Sequence, residues 1–299
     1  MAVTLMRQES PAAIFEKFAS APEACTISEL YQEDEAEALQ FLAARPIHTV
    51  FMSGLIHDNG LTSPHNRGSF YACRDPQGNL EGVGLLGHAT LVEALTEPAL
   101  AAFASLARNC FNAHLIRGER KAIDQFWKLY AGPEQEPRFV WREFLLERKE
   151  PLTPLEPVND LRRATLDDLD QVLKLNAGLA FQERGINPLN LDPAGFRRRT
   201  ARRIEQGRVW VWIQEERMIF KTDVLAETPQ ATYLEGVHVH PEERMKGYGT
   251  RCLTQLSSIL FAQTESICLT VDQKNKKALA FYERAGYQLR GDYETIYFQ

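Results

Sequence analysis

The stretch that decides the fold is RMKGYGT, Arg244 to Thr250, because two runs of opposite periodicity meet there. Before it, residues Tyr233 to His240 alternate and are rich in β-branched side chains, which is the pattern of a strand. After it, apolar residues recur at helical spacing and predict a helix. These apolar residues are Leu253, Leu256, Ile259 and Leu260.

A strand-to-helix turn of this kind is a ready binding site for an anion. The first N–H groups of the helix have no partner within it, and the helix dipole adds about half a positive charge there. Gly247 and Gly249 let the backbone approach a bulky phosphate, while Arg244 and Lys246 add charge. The motif alone is weak, because glycine-rich helix starts also occur in ordinary loops.

Length and composition are those of a globular protein with two domains. The chain has 299 residues, of which 44% are hydrophobic and 25% charged, so each of two domains can bury a core. The formal net charge of −6 makes no case for nucleic acid or an anionic membrane as a partner. It mildly favours a cationic small molecule such as an amine.

The cysteines and the N-terminus predict a cytoplasmic location. MAVTLMRQES reaches polar residues too soon for a signal peptide, and no apolar run approaches the ~20 residues of a membrane span. The cysteines form no C-x-x-C pair, and no histidine lies at metal-ligand spacing, so we expect reduced thiols and no metal. They are Cys25, Cys73, Cys110, Cys252 and Cys268.

Prolines at three-residue spacing mark the domain boundary. Pro151, Pro154 and Pro157 favour an extended linker. We therefore predict a first domain at residues 1–150, a linker at 151–158 and a second domain at 159–299. The second domain has the predicted order helix, helix, strand, strand, strand, helix, strand, helix, strand. The first helix begins at about 165, the second spans about 192–206, the third follows the glycine turn and the fourth spans 275–285. A hairpin at 209–225, strands at 233–240 and 266–271, and one or two closing strands at 287–298 complete the order.

The first half repeats much of this order. The predicted elements are a hairpin at 69–86, a helix at 98–110, a strand at 114–117, a helix at 121–130 and a strand at 139–146. Where the second half has its glycine turn, the first has Leu91 to Pro98 without a glycine. We therefore predict an internal duplication in which the first copy lacks the phosphate-binding turn.

A second motif follows the strand at 266–271: Asn275-x-x-Ala278-x-x-Phe281-Tyr282, ending at Gly286. In this order, the two motifs resemble those of the GNAT superfamily of acetyl-coenzyme A dependent N-acetyltransferases. The resemblance covers Leu161 to Gln299, and the whole chain resembles tandem GNAT proteins with a degenerate first repeat. It implies an α/β fold of two GNAT-like domains, each a mixed, mostly antiparallel sheet flanked by helices.

The resemblance also implies a site for acetyl-coenzyme A. In GNAT folds the strands on either side of the glycine-turn helix splay apart, and pantetheine lies between them like an added strand. The backbone of the first strand would line the pantetheine, the turn would hold the pyrophosphate, and Asn275 would lie on the other wall. The donor-binding residues so implied are Val237, His238, Val239, Arg244, Met245, Lys246, Gly247, Tyr248, Gly249, Thr250, Asn275, Ala278 and Tyr282.

Two residues match positions that carry catalysis in the family. Tyr282 matches a tyrosine that can protonate the leaving thiolate, and a phenol with a pKa near 10 is protonated at neutral pH as this requires. The other interpretation of Tyr282 is a core residue. Glu235 lies at the offset of a glutamate that acts as general base in several members. By alternation it shares a face with Val237 and Val239, where desolvation would raise its pKa toward neutrality. The other interpretation is a surface or ion-paired carboxylate.

Three further groups favour structural interpretations. Alternation places His238 and His240 on the opposite face of the strand from Glu235, where packing is favoured over a proton relay and no third metal ligand is apparent. Trp210 and Trp212 are interpreted as core or interdomain residues. An arginine-rich helix is interpreted as a solvated, ion-paired face or as a wall for an acidic acceptor. Its arginines are Arg197, Arg198, Arg199, Arg202 and Arg203.

Taken with the resemblance, the sequence predicts direct transfer of acetyl from acetyl-coenzyme A to a primary amine of a small molecule, peptide or protein. Glu235 would act directly or through water. Two alternatives stay open, a non-catalytic acyl-coenzyme A binding module and an enzyme for a longer acyl donor. The acceptor and the oligomeric state stay open as well.

Overall fold

The computed structural model describes residues 25–110, 113–152 and 156–298. The chain start, to which the expectation of no signal peptide applies, lies outside the described residues, as does Pro154 of the predicted linker. Among the described residues, twelve strands are present. They are β1 (Thr26–Glu29), β2 (Gly68–Arg74), β3 (Leu80–Gly87), β4 (Ala89–Ala94), β5 (Leu115–Glu119), β6 (Phe139–Arg148), β7 (Arg162–Arg163), β8 (Val209–Gln214), β9 (Arg217–Glu227), β10 (Thr232–Val239), β11 (Ile267–Asp272) and β12 (Gln288–Tyr297).

Nine α-helices of the described residues connect and cover these strands. They are α1 (Glu35–Leu42), α2 (Pro46–Asn59), α3 (Glu97–Ala107), α4 (Arg120–Tyr130), α5 (Leu169–Arg184), α6 (Pro188–Leu191), α7 (Pro193–Glu205), α8 (Tyr248–Leu260) and α9 (Lys276–Arg284). None of the helices in the described part of the chain is long and apolar enough to cross a membrane.

All strands join one sheet in the order β1-β2-β3-β4-β5-β12-β6-β11-β10-β9-β8-β7. The last strand of each half lies beside the other half. β12 pairs with β5, with Ile296 opposite Ile116, and β6 pairs with β11, with Leu145 opposite Thr270. β12 and β6 also pair with each other. Neither half therefore completes its sheet with its own residues alone.

The hydrophobic core likewise combines residues of both halves. One cluster of buried residues combines Leu146 of β6 with Leu253 of α8, Leu269 of β11 and Tyr282 of α9. A second lies under α2, where Val50 of the first half packs on strands of the second half. The latter cluster contains Val50, Leu145, Ala226, Ala231, Tyr233, Cys268 and Tyr293.

The predicted fold class is confirmed, because a mixed sheet is flanked by helices and only β4–β5 and β10–β11 pair in parallel among the described strands. The predicted elements agree with the observed ones to within a few residues. Six observed elements were not predicted: β1, β4, β7, α1, α2 and α6. The division at residues 150 and 159 stays a prediction. Within the predicted linker, Val158 docks on α8 through two hydrogen bonds with Gln255.

Candidate active site

A cleft opens where two neighbouring strands of the second half part. β10 and β11 are paired only at Thr232–Ile267 and Tyr233–Cys268, although both strands continue to Val239 and Asp272. The backbone of β10 beyond Tyr233 is thus left without a ladder partner on its β11 side. A ligand that presents amide groups can lie there as an added strand.

The glycine turn lies at one end of this cleft. Gly247 is the N-cap of α8 with φ +81°, a conformation that glycine adopts without the steric penalty of a Cβ. It offers no side chain to the N–H groups of the first turn, so these remain for a ligand. Arg244 donates from Nε to the carbonyl of Val239 at 3.1 Å. Lys246 is paired with Glu243 at 2.8 Å, which offsets its charge.

The two sequence motifs meet across the cleft. A Cβ on Gly249 would lie 2.9 Å from Cγ2 of Val239 and 3.3 Å from the ring of Phe281, so β10, α8 and α9 approach closely at this point. Asn275 is the N-cap of α9 and accepts from the N–H of Ala278 at 3.0 Å. The remaining predicted donor-binding residues flank these contacts. Val237, Val239, Tyr248 and Ala278 pack on the core, Thr250 lies in the first turn of α8, and Met245 is 97% exposed with φ +63°.

The prediction that Glu235 shares a face with Val237 and Val239 is wrong, because β10 has a bulge. Glu235 lies opposite Asp223, whereas His238 lies opposite Lys221. Three steps along β10 therefore match two along β9. The extra residue reverses the alternation, and Gly236 takes φ +61° within the bulge. Glu235 and His238 consequently share a face.

This face is polar rather than apolar. Lys221 is fully buried and donates to Oδ1 of Asn176 at 2.6 Å, with Oδ2 of Asp223 at 2.8 Å. Arg203 of the arginine-rich helix approaches Asp223 at 2.9 Å and Glu235 at 4.0 Å. The side chain of Glu235 is 41% exposed. The desolvated surroundings expected for Glu235 are therefore not found. Arg203, from the helix considered above as a wall for an acidic acceptor, lies near Glu235 instead. The fully buried Lys221 on the same face was assigned to no site from the sequence.

The bulge and Lys221 are packed together. A Cβ on Gly236 would lie 2.9 Å from Nζ of Lys221, so the ammonium occupies the space beneath the bulge. His238 lies opposite Lys221 in the β10–β9 ladder. Burial lowers the pKa of His238 to about 4, with Arg244 and Lys221 acting in the same direction. His240 instead accepts from the N–H of Glu242 in the following turn.

Tyr282 lies in the core of the second half and is 8% exposed. Its ring makes edge contacts with Phe281 and Tyr287 at 5.1 and 5.6 Å. Burial raises the pKa of the Tyr282 phenol well above its usual value. The group therefore stays protonated at neutral pH, which suits a proton donor and a core residue equally.

The arginine-rich helix α7 is mostly paired. Arg197 binds Asp170 at 2.6 Å and Arg199 binds Asp192 at 3.1 Å, both on the surface. Arg202 donates to Asn59 of α2 at 2.8 Å. Arg203 alone of these four pairs with the face that carries Glu235, so the structural interpretation holds for most of the helix. Trp210 and Trp212 are buried in the core of the second half.

The first half has a corresponding splay without the glycine turn. β4 and β5 pair in parallel over three residues, and a cavity of about 170 Å³ lies beyond them. Arg45 bridges Glu93 and Glu119 in its wall. The N-terminus of α3 is closed, because Thr96 accepts from the N–H of Ala99 at 3.4 Å. Because β5 and β11 run antiparallel, this cavity and the β10–β11 cleft open toward opposite ends of the sheet.

The chain is similar to known proteins in sequence and in fold. Residues 194–287 match the family described as Acetyltransferase (GNAT) family. No curated protein matches the sequence significantly. Residues 194–287 are thus similar in sequence to GNAT-family acetyltransferases.

Solved structures extend the likeness to the whole chain. A GNAT-family acetyltransferase from Colwellia psychrerythraea is 13% identical, with 92% of this chain and 100% of that chain covered and a TM-score of 0.54. A tandem GNAT protein from the clavulanic acid biosynthesis pathway is 13% identical, with 91% and 98% covered and a TM-score of 0.53. A Drosophila protein is 13% identical, with 91% and 98% covered and a TM-score of 0.68. The chain therefore has the fold of tandem GNAT proteins.

Proposed function

We propose that the second half is an N-acetyltransferase that transfers acetyl from acetyl-coenzyme A to a primary amine. The observation that carries this proposal is the β10–β11 ladder, which stops after two residue pairs beside a helix N-terminus capped by a glycine. An unpaired strand edge suits the amides of pantetheine, and the free N–H groups at the start of α8 suit the pyrophosphate.

The donor would lie along β10 with its thioester near the bulge. A backbone N–H of the Val237 to Val239 strand would face the thioester and polarise its carbonyl, and an oriented backbone donor is a usual means of stabilising an oxyanion. Gly247 and Gly249 would leave room for the pyrophosphate. Arg244 supplies positive charge there, since the charge of Lys246 is largely offset by Glu243.

Glu235 would act as the general base and Tyr282 as the general acid. Glu235 takes a proton from the ammonium, directly or through water, and its 41% exposure leaves it accessible to an acceptor. The free amine nitrogen bonds to the carbonyl carbon, the C–S bond breaks, and Tyr282 gives its proton to the departing sulfur. The second proton that leaves the nitrogen restores the Tyr282 phenol, directly or through water. Holding both reactants in one cleft supplies much of the rate by proximity.

The first half, in this proposal, is a degenerate repeat. The closed N-terminus of α3 and the absence of a glycine turn support its having lost the pyrophosphate site. A longer acyl donor is the second enzymatic alternative, and a panel of acyl-coenzyme A esters of increasing length separates it from acetyl transfer.

The test follows release of free thiol from acetyl-coenzyme A in the presence of amines and peptides. We expect thiol release that depends on the acceptor. Tyr282→Phe should lower turnover about 10²-fold or more, the usual contribution of a general acid, with donor affinity nearly intact. Tyr287→Phe is the matched control, because it removes a buried hydroxyl from the ring that contacts Tyr282.

Two outcomes would contradict the scheme. Donor binding without thiol release across a broad acceptor panel would favour a non-catalytic acyl-coenzyme A binding module. Equal turnover of the Tyr282→Phe and Tyr287→Phe variants would remove Tyr282 from the chemistry and leave it a core residue.

Glu235→Gln should lower turnover most at low pH, where the acceptor is most fully protonated.

A further inference from the structure

A buried polar network lies where β10 and β11 part. It consists of Arg117 of β5, Glu143 of β6, Tyr233 of β10 and Thr270 of β11. Two of its members come from the first half of the chain and two from the second. Tyr233 is 4% exposed and belongs to the core cluster under α2.

Only one assignment of donors and acceptors fits the hydrogen bonds between the hydroxyl groups of this network. The hydroxyl of Thr270 donates to Oε1 of Glu143 at 2.6 Å. Its single proton is thereby used, so the Tyr233 hydroxyl must donate to Oγ1 of Thr270 at 2.7 Å. Nη2 of Arg117 donates to Tyr233 at 3.1 Å and to Thr270 at 2.8 Å. The carboxylate of Glu143 lies 3.3 Å from the same nitrogen.

The Tyr233 hydroxyl also takes the place of a backbone acceptor. Tyr233–Cys268 is the last pair of the β10–β11 ladder, so the N–H of Thr270 belongs to the next rung, where it would donate to a β10 carbonyl. It donates instead to the hydroxyl of Tyr233 at 3.2 Å. The Tyr233 hydroxyl thus accepts the hydrogen bond that a β10 carbonyl would otherwise accept. The ladder can therefore end at Tyr233–Cys268 without leaving the Thr270 N–H unpaired.

The first half holds this side chain in place. Phe51 of α2 covers the Tyr233 ring at 4.4 Å, and the Arg117 guanidinium lies over the Phe51 ring at 5.4 Å. Burial lowers and the Glu143 carboxylate raises the pKa of Arg117, with a net upward shift, so the guanidinium stays charged. The phenol is therefore fixed from above by α2 and from the side by β5.

We propose that Tyr233, held by Arg117 of the first half, ends the β10–β11 ladder and sets the width of the cleft that receives the acyl donor. Tyr233 and Thr270 are positioning residues in this proposal, because they act on the donor through the backbone of the two strands. The proposal rests on the proposed function only for the identity of the occupant. The first half thereby contributes to the donor site of the second.

Two pairs of variants test it. Tyr233→Phe removes the hydroxyl and keeps the ring, and Tyr293→Phe is its control in the same buried cluster, where the hydroxyl bonds His48. Thr270→Val removes the second hydroxyl, and Thr295→Val is its control, since Oγ1 of Thr295 is buried without a partner. Two independent pairs keep the test decisive when one variant folds poorly.

Calorimetry with acetyl-coenzyme A gives the first measurement. We expect Kd to rise about tenfold in Tyr233→Phe and Thr270→Val, the effect of one lost buried hydrogen bond, and to stay unchanged in both controls. In turnover, KM should rise while kcat changes little. Affinities equal to those of the controls would overturn the proposal.

Hydrogen exchange of the ligand-free protein gives a second measurement that does not require activity. Amides of residues 267–272 should exchange faster in both variants than in the controls. In Tyr233→Phe the Thr270 N–H loses its acceptor. In Thr270→Val the Tyr233 hydroxyl, which accepts from that N–H, loses its own acceptor and is held less firmly. If the wild-type protein binds no acyl-coenzyme A, the proposed function fails, and this exchange alone decides the inference. Equal exchange in variants and controls would refute it.

Discussion

The two glycines of the turn are required for different reasons, one for its backbone conformation and one for the space around it. Substitution of each by alanine distinguishes these reasons. At Gly247, φ is +81° and nothing lies within 4 Å of an added Cβ, so alanine there meets backbone strain alone. At Gly249 no positive φ is present, but an added Cβ lies 2.9 Å from Val239 and 3.3 Å from Phe281. Gly178, exposed in α5 with nothing within 4 Å of an added Cβ, is the control.

The magnitudes follow from these contacts. Left-handed backbone costs a residue with a Cβ roughly 1–2 kcal/mol, and the reduced freedom of the unfolded chain offsets about 0.4–1 kcal/mol of this. Gly247→Ala should therefore lower the free energy of unfolding by about 1 kcal/mol. Gly178→Ala should raise it by about 1 kcal/mol, the difference in helix propensity. In Gly249→Ala, a helical gain of similar size opposes an overpacking cost of about 1–3 kcal/mol.

Chemical denaturation and calorimetry with acetyl-coenzyme A measure the two effects. We expect Gly249→Ala to lower the free energy of unfolding by about 0–2 kcal/mol. It should weaken donor binding about tenfold or more, because Val239 must shift to make room for the added Cβ. Gly247→Ala should lose both stability and affinity. A Gly247→Ala protein as stable as Gly178→Ala would refute the strained turn. Wild-type donor affinity in Gly249→Ala would refute the contact that joins the two motifs.

Two further predictions concern pH and the exchanged strands. The folded protein holds His238 neutral down to about pH 4, whereas an unfolded histidine gains its proton near pH 6.5, so the unfolded chain binds more protons between these values and stability falls as pH falls from 6.5 toward 4. In His238→Gln the denaturation midpoint should fall less than in the wild type as pH falls from 6.5 toward 4. An equal fall in variant and wild type would contradict this prediction. A fragment of residues 151–299 lacks β6 and should aggregate, whereas residues 136–299, which retain β6, should stay more soluble by light scattering. A monodisperse, fully active 151–299 fragment would contradict the role of β6.

The sequence predicted most elements because their signals are local. The strand before the turn, the helix after it and the second motif each show one periodicity within a short window, and the structure has them within a few residues. The residues facing the cleft were harder to predict, because alternation holds only along an unbroken ladder. The bulge at Gly236 reversed it and brought His238 to the face of Glu235. An isolated glycine inside a strand pattern is a bulge signal, and it was present.

The buried charges could not be predicted in this way. Lys221 and Arg117 lie in short strand patterns, where a charged side chain is ordinarily assigned to the solvent face. Their partners lie on other strands and helices: Asp223 and Asn176 for Lys221, and Glu143 for Arg117. Such pairing depends on which strands become neighbours, and no local pattern contains that information.

The exchange of last strands brings residues of the first half, which has no glycine turn at 91–98, to the candidate site of the second half. β6 lies between β12 and β11, so the first half supplies the strand that supports one wall of the cleft. Glu143 of β6 and Arg117 of β5 then reach the point where the cleft opens. These contacts are independent of a glycine turn in the first half, because none of them uses residues 91–98. Under the two proposals above, donor binding by the second half and the shaping of the cleft by the first half are therefore separable.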